Sequence, residues 1–152
     1  MAFVRVAAVG DLHCTKTSQG AFQPLFAAIR EAADVLLIAG DLTDYGLPEE
    51  AQILARELSA VRIPVVAVLG NHDRESGKEA EVGHVLSESG TIVLDGDATE
   101  VKGVGIAGVT GFGGGFGKHE FVGKADSWSP AGILHGLNDI SGVWSVGEHD
   151  GK

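Results

Sequence analysis

The sequence has a single cysteine, few basic residues and no long apolar segment. Cys14 has no second cysteine to pair with, which excludes an internal disulfide and suits a reducing compartment. No run approaches the roughly 20 consecutive apolar residues that a membrane-spanning helix needs. The apolar N-terminus, residues 1–9, is too short for a signal peptide with its flanks, and Asp11 interrupts it. We therefore expect a soluble, cytoplasmic protein with no membrane partner.

The shortage of positive charge restricts the class of partner. Lysine and arginine number 11 against 21 aspartates and glutamates, for a formal net charge of −10. A general nucleic-acid binder presents a basic face, so the composition argues against nucleic acid as a partner. An acidic balance fits a protein that holds divalent cations, although many proteins are acidic for solubility alone. A length of 152 residues suits one domain with a sizeable core.

Three apolar runs that alternate with helical patterns predict an α/β fold. Continuous apolar runs are typical of strands buried on both faces, and helical crossovers make such strands parallel. Right-handed crossovers place the carboxyl ends of these strands at one edge of the sheet, where α/β proteins bind ligands. The predicted strands are residues 3–9, 35–39 and 65–69, and the predicted helices are residues 19–33, a segment that begins at 47–50, and 76–89 with Gly90 as the stop.

The pattern changes after residue 90. Short strands at 91–94, 100–102 and 104–109 are predicted to form a β-meander. A glycine-rich segment follows at 110–117, and residues 118–152 have neither a helical nor a strand period. The predicted fold is thus a parallel-centred β-sheet flanked by helices, then a short β-meander and an irregular tail, with a domain boundary at residue 117.

Three polar clusters follow the predicted strands directly. Asp11 and His13 follow the first strand, Asp41 follows the second, and Asn71 and His72 follow the third. Residues two apart on an extended segment point the same way, so Asp11 and His13 are expected to reach one metal ion together. Carboxylate, amide and imidazole ligands suit Mn, Fe, Zn or Co and do not suit a metal that seeks thiolates. The clusters therefore predict a metal site at the carboxyl edge of the sheet.

Each of these residues also has a simpler interpretation. Asp11 and Asp41 are suitable helix N-caps, and Asn71 suits a turn. The two histidines are compatible with an exposed surface. Their placement beside carboxylate or amide groups at two strand ends is harder to explain in this way and favours the metal site. Cys14, next to the first cluster, is expected to be a small packed residue and not a ligand.

The motifs resemble those of the calcineurin-like metallophosphoesterases. They are Asp-x-His at 11–13, Gly-Asp at 40–41 and Gly-Asn-His-Asp at 70–73, in this order along the chain. The segment Gly-Asp-Leu-Thr-Asp-Tyr-Gly at 40–46 further resembles the cyclic-nucleotide phosphodiesterase branch of that family. The resemblance implies the N-terminal half of the family's α/β sandwich, as an incomplete phosphoesterase domain at residues 1–117.

The resemblance also implies a role for each matching residue. Asp11 and His13 would bind a first metal ion, Asp41 would bridge both ions, and Asn71 would bind the second. His72 would lie off the metals and act on the phosphate as the catalytic residue. The implied reaction is hydrolysis of a small-molecule phosphate mono- or diester by a metal-bound hydroxide at a dinuclear centre. The implied cofactors are two divalent ions of Mn, Fe, Zn or Co.

The second half of the family's site has no match in the sequence. The family carries a Gly-His motif and a later Gly-His-x-His motif that complete the ligands of both metals. Gly83-His84 is a Gly-His pair, but it falls in the third helical segment and is expected to lie on the helix surface. Without these histidines the centre would hold metal weakly.

Three hypotheses explain this difference. The chain is a truncated or frame-shifted product of a longer phosphoesterase, and residues 118–152 are a non-homologous tail. Alternatively, it is a short natural member that takes ligands from His119, His135 or His149, or from a partner subunit in a homo-oligomer. In the third hypothesis it is a catalytically inactive module that binds metal or mediates oligomerisation through an exposed sheet face.

Overall fold

The structure, a computed structural model, describes residues 3–110 and the backbone of residues 142–148. Residues 111–117 of the glycine-rich segment and the candidate ligands His119, His135 and His149 lie outside these residues. Residues His72–Arg74 form a short 3-10 turn. The helices and strands are β1 (Val6–Val9), α1 (Gln23–Ala32), β2 (Val35–Ala39), α2 (Pro48–Leu58), β3 (Val65–Val68), α3 (Glu79–Glu88), β4 (Ile92–Leu94), β5 (Asp97–Val101), β6 (Val104–Thr110) and β7 (Gly142–Glu148).

Four parallel strands form the main sheet, in the order β1-β2-β3-β4. The predicted parallel α/β fold is confirmed, because α1, α2 and α3 each return the chain to the amino end of the next strand. The prediction was wrong for residues 91–94, which belong to this sheet and not to a meander. After the crossover through α3, β4 runs parallel to β3. Representative residue pairs are Val6 with Val35, Leu36 with Val65, and Val66 with Ile92.

The burial of the strands follows their position in the sheet. Every residue of β2 and β3 is buried, as continuous apolar runs predict. The prediction that the first strand is buried was wrong, because β1 is the edge strand and its residues are exposed or half-buried. Val6, for example, is 41% exposed.

The helices α1, α2 and α3 pack on one face of the parallel sheet. Phe26 of α1, Leu54 of α2 and Leu86 of α3 are buried in one cluster with Leu36 and Ile38 of β2. Alternate residues of β2 point to the opposite face, as the period of two requires. Full burial of side chains of this size contributes about 1.5–3 kcal/mol each. This helix layer covers one face of the sheet, and the parallel pairing of the strands brings their carboxyl ends to one edge.

The second helix begins where the sequence predicts. Pro48 opens α2, and Glu50 lies in its first turn. The Glu50 carboxylate is buried and accepts hydrogen bonds from the amides of Tyr45, at 3.0 Å, and Leu47, at 3.2 Å. The loop after β2 is therefore tied to the helix that follows it.

An antiparallel sheet, β5-β6-β7, covers the other face of the parallel sheet. Val101 and Ile106 are buried in a second cluster with Leu37, Val66 and Val68. The expected meander is therefore present, with its strands at 97–101 and 104–110, and a third strand completes it. The described residues form three layers, with helices, parallel sheet and antiparallel sheet in that order.

The third strand of this sheet lies in the segment that was expected to be irregular. β7 pairs along the full length of β6, from Val104 with Glu148 to Thr110 with Gly142. Its sequence, Gly-Val-Trp-Ser-Val-Gly-Glu, lacks regular alternation of apolar and polar residues, so periodicity does not reveal it. The strand is defined by backbone pairing with β6, which the local sequence does not predict. The domain boundary at residue 117 stays a prediction.

The two sheets approach closely at Gly108 in β6. A Cβ atom on this residue would lie 2.7 Å from Cγ1 of Val68 and 3.0 Å from Cβ of Leu94. Non-bonded carbon atoms do not approach as closely as 2.7 Å, so the sheets would have to separate or the side chain of Val68 in β3 would have to move. Glycine at this position therefore sets the spacing of the two sheets.

Gly108→Ala is expected to lower the free energy of unfolding by about 1–3 kcal/mol, the usual cost of overpacking a core. Gly83→Ala is the matched control. Gly83 lies in α3, and a Cβ atom there would meet only Cδ1 of Leu69, at an ordinary contact distance of 3.9 Å. The control should gain up to about 1 kcal/mol from helix propensity. Urea denaturation of both variants measures the difference, and equal stability of the two would contradict the account.

No helix within residues 3–110 is long and apolar enough to cross a bilayer.

Candidate metal centre

The residues after β1 and β2 have an unusual backbone conformation. Asp11, His13 and Asp41 have φ angles of 53°, 45° and 49°. Residues other than glycine seldom adopt this left-handed region, and each such residue costs of order 1–3 kcal/mol where the conformation is strained. The expectation that residues 11–13 are extended was therefore wrong. Such strain is concentrated at functional sites, where surrounding contacts maintain it.

Backbone hydrogen bonds hold the loop after β1 against the loop after β2. The amide of Asp11 donates to the carbonyl of Gly40 at 3.2 Å, and that of His13 donates to the carbonyl of Asp41 at 3.0 Å. One potential ligand atom from each of Asp11, His13 and Asp41 then lies within 4.8 Å of the others. Two carboxylates and one imidazole at this separation fit a divalent transition-metal ion.

Asp41 is the most buried member of this group, with 6% of its surface exposed. Burial raises the pKa of its carboxyl group, while a hydrogen bond from the amide of His72, 3.0 Å from Oδ1, acts in the opposite direction. A carboxylate whose charged form is disfavoured by burial gains more than an exposed one from a neighbouring cation. The environment of Asp41 thus favours a bound metal.

His72 lies in the loop after β3, and its ring contacts the loops after β1 and β2. Its ring meets that of His13 edge-on, with the centroids 4.5 Å apart and the planes at 88°. Its Nδ1 donates to the backbone carbonyl of Asp44 at 2.7 Å. This contact is the largest cause of an upward shift in the pKa of His72. The protonated imidazole is therefore favoured relative to a free histidine.

Asn71 is exposed and directly precedes His72 at the start of the 3-10 turn. The amide that binds Asp41 belongs to the next residue, so Asn71 lies at the same edge of the sheet as the first group. The structure thus brings Asp11, His13 and Asp41 together, with His72 in contact with them. The metal and catalytic roles assigned to these residues and to Asn71 stay predictions.

Asp44 is a site residue that the sequence analysis did not select. Its Oδ1 accepts a hydrogen bond from Nδ1 of His13 at 3.2 Å. Ligand atoms of His13, Asp44 and His72 also lie within 4.8 Å of one another. The segment 40–46, which contains Asp44, contributed only to the family resemblance. It was the signal that could have identified this residue.

Asp73 is the second residue without an assigned role, and it is completely buried. Its Oδ1 accepts from the amide of Thr43 at 2.7 Å and from the hydroxyl of Thr43 at 2.6 Å. Its Oδ2 accepts from the amides of Leu42, at 3.1 Å, and Gly70, at 2.7 Å. One carboxylate therefore joins the loop after β2 to the loop after β3. Asp73 holds Asp41 and His72 in place without belonging to the metal-ligand set.

Cys14 and His84 do not belong to either group of potential ligand atoms among the described residues. Cys14 is fully buried in the core, and burial raises the pKa of its thiol to about 11, which disfavours the thiolate that binds metals. This confirms that Cys14 is a packed residue. His84 lies on the exposed surface of α3 and pairs with Glu88 at 3.2 Å, as expected for a helix-surface histidine.

The sequence model of the family described as calcineurin-like phosphoesterase matches residues 4–147. The chain therefore belongs to the calcineurin-like phosphoesterase family. This confirms the resemblance of the three motifs, and the match also extends over β7 through residue 147.

Two individual proteins resemble parts of the chain. Over 45 residues it is 40% identical to glycerophosphodiester phosphodiesterase GpdQ of Enterobacter lignolyticus (strain SCF1), a match that covers 30% of this chain and 16% of that protein. The crystal structure of TT1561 of Thermus thermophilus is 20% identical, with a TM-score of 0.48, and the likeness covers 66% of this chain and 46% of that chain. Each similarity covers less than half the length of the protein that this chain matches.

Proposed function

We propose that this chain carries out metal-dependent hydrolysis of a small-molecule phosphate ester. The observation that carries the proposal is the convergence of Asp11, His13 and Asp41 at the carboxyl edge of the sheet. The backbone amide of His72 donates a hydrogen bond to Asp41 at the same place. Membership of the phosphoesterase family supports the reaction class. A phosphodiester is the favoured substrate, since a segment of the chain is similar to a protein named as a phosphodiesterase.

The donor set fits divalent ions of Mn, Fe, Zn or Co. Asp11, His13 and Asp41 would hold one ion, and Asp41 with Asn71 would contribute to a second. When bound, the ions would draw charge from the phosphate oxygens and lower the pKa of a nearby water. The left-handed backbone at Asp11, His13 and Asp41 supports this assignment, because strained conformations that surrounding contacts maintain are concentrated at functional sites.

The proposed role of His72 is to supply a proton to the leaving oxygen. Its Nδ1 hydrogen is directed to the carbonyl of Asp44, so Nε2 is the atom that remains for the substrate. The raised pKa of His72 favours the form in which Nε2 also carries a proton. Proton donation by a positioned side chain contributes about 10²- to 10⁴-fold to turnover.

The decisive experiment measures the metal content of purified, dialysed protein together with hydrolysis of an aryl phosphodiester in added manganese. About two metal ions per chain, with turnover that a chelator removes, is the result expected for a dinuclear enzyme. One ion or none, without turnover, would contradict the proposal. The chain would then be a non-catalytic module that binds metal or mediates oligomerisation.

His72→Ala is expected to lower turnover by about 10²- to 10⁴-fold while leaving the metal content unchanged, because His72 acts on the leaving group. His84→Ala is the matched control, since that ring lies on the surface of α3. Steady-state hydrolysis and metal analysis of both variants provide the test. Release of metal from the His72 variant would show that His72 is a ligand, contrary to the assigned role.

A further inference from the structure

Asp44 contacts both histidines of the centre through two different groups. Its carboxylate oxygen Oδ1 lies 3.2 Å from Nδ1 of His13. Its backbone carbonyl oxygen lies 2.7 Å from Nδ1 of His72. The same nitrogen of each ring is therefore engaged, and in both cases the partner is an oxygen of Asp44.

The chemistry of these partners fixes where the ring hydrogens lie. A backbone carbonyl can only accept a hydrogen bond, so Nδ1 of His72 must carry a hydrogen. An ionised carboxylate can also only accept, so the same is true of Nδ1 of His13. A neutral imidazole has one ring hydrogen, and Nε2 of both rings is then the unprotonated nitrogen. Nε2 is therefore the nitrogen of His13 that can bind a metal, and the nitrogen of His72 that takes up the second ring proton and donates it to the leaving oxygen.

We propose that Asp44 is a positioning residue that sets the Nδ1–H tautomer of both histidines, through its carboxylate for His13 and through its backbone carbonyl for His72. The metal-facing atom of His13 and the substrate-facing atom of His72 are then both Nε2. The part of the inference that concerns metal and substrate rests on the proposed function. The tautomers themselves are a property of the metal-free chain.

The backbone of Asp44 is held independently of its side chain. Its amide donates to the carbonyl of Cys14 at 3.1 Å, and Cys14 is buried in the core. Removing the carboxylate therefore leaves the carbonyl that contacts His72 in place. This separation allows the two contacts to be tested one at a time with the same substitution.

The experiment records nitrogen-15 chemical shifts of the imidazole rings in the metal-free chain of 152 residues. Spectra are taken at increasing pH until the nitrogen shifts no longer change, so that both rings are observed in the neutral form. In the unmodified protein, His13 and His72 are both expected in the Nδ1–H form. In Asp44→Ala, His13 should change toward the Nε2–H form while His72 is unchanged. Asp44→Asn retains an acceptor oxygen and should restore the Nδ1–H form of His13.

Titration with Mn²⁺ gives a second readout. Loss of a hydrogen-bond partner behind a metal-binding histidine typically weakens metal affinity about 10- to 100-fold, and this loss is expected for Asp44→Ala but to a smaller extent for Asp44→Asn. An unchanged His13 tautomer in Asp44→Ala, a simultaneous change of His72, or unaltered Mn²⁺ affinity would each overturn the proposal. Correct tautomers and Mn²⁺ binding without phosphodiester hydrolysis would overturn only the proposed function.

Discussion

Asp41→Ala is expected to abolish metal binding. Asp41 is the buried carboxylate of the group, and it is the residue proposed to contact both ions. Its removal leaves an exposed Asp11 and a half-buried His13 as the remaining ligands of the first ion. Since loss of a partner behind a ligand already costs about 10- to 100-fold in affinity, loss of the shared ligand itself should exceed about 100-fold. Metal content after dialysis and calorimetric titration with Mn²⁺ measure the effect.

Asp41→Asn separates metal binding from folding in this experiment. Asparagine tolerates the left-handed φ of 49° and retains an oxygen for the amide of His72, whereas alanine does neither. The Asn variant should therefore fold normally and still fail to retain metal. Glu81→Ala, on the exposed surface of α3, controls for the loss of one negative charge. Full metal content in the Asn variant would exclude Asp41 as the bridging ligand.

Asp73→Ala is expected to cause the largest loss of stability of any substitution at the site. It leaves the buried amides of Leu42, Thr43 and Gly70 without their acceptor. Each buried donor left unsatisfied costs about 1–3 kcal/mol, so the free energy of unfolding should fall by more than about 3 kcal/mol. This is a large fraction of the roughly 5–15 kcal/mol that stabilises a typical domain. Urea denaturation followed by circular dichroism gives the value.

Asp95→Ala is the matched control for this experiment, because the Asp95 side chain is 69% exposed and should change stability by less than about 0.5 kcal/mol. Asp73→Asn should have an intermediate effect. The side-chain oxygen of asparagine can still accept hydrogen bonds from backbone amides, whereas its NH₂ group would face a backbone N–H that also donates. Equal stability of Asp73→Ala and Asp95→Ala would show that the loops after β2 and β3 do not depend on this carboxylate.

The arrangement of the candidate site was predictable from two periodic patterns. Buried apolar runs separated by helical segments imply parallel strands, and parallel strands bring their carboxyl ends to one edge. Asp11, His13 and Asp41 follow such strands in the sequence, and in the structure their ligand atoms converge. Periodicity was sufficient here because helices and central strands each have a strong local signal. Single residues also gave local signals, since Pro48 predicted the start of α2 and Gly90 predicted the end of α3.

The elements that were missed depend on partners distant in sequence. Residues 91–94 are too short a run to indicate whether they extend the parallel sheet or begin a meander, and pairing with β3 decides between the two. β7 has no regular alternation, and pairing with β6 defines it. The exposure of β1 follows only from its position at the edge of the sheet.

The sequence by itself determined the family, the parallel sheet and the identity of the residues that converge at its edge. Only the tertiary structure decided how these residues are held. The left-handed backbone at Asp11 and His13 follows from bonds to the loop after β2, and the roles of Asp44 and Asp73 follow from contacts about 30 positions away along the chain. Local patterns report which face a side chain occupies, whereas hydrogen bonds between loops arise only when separate strands have been brought together.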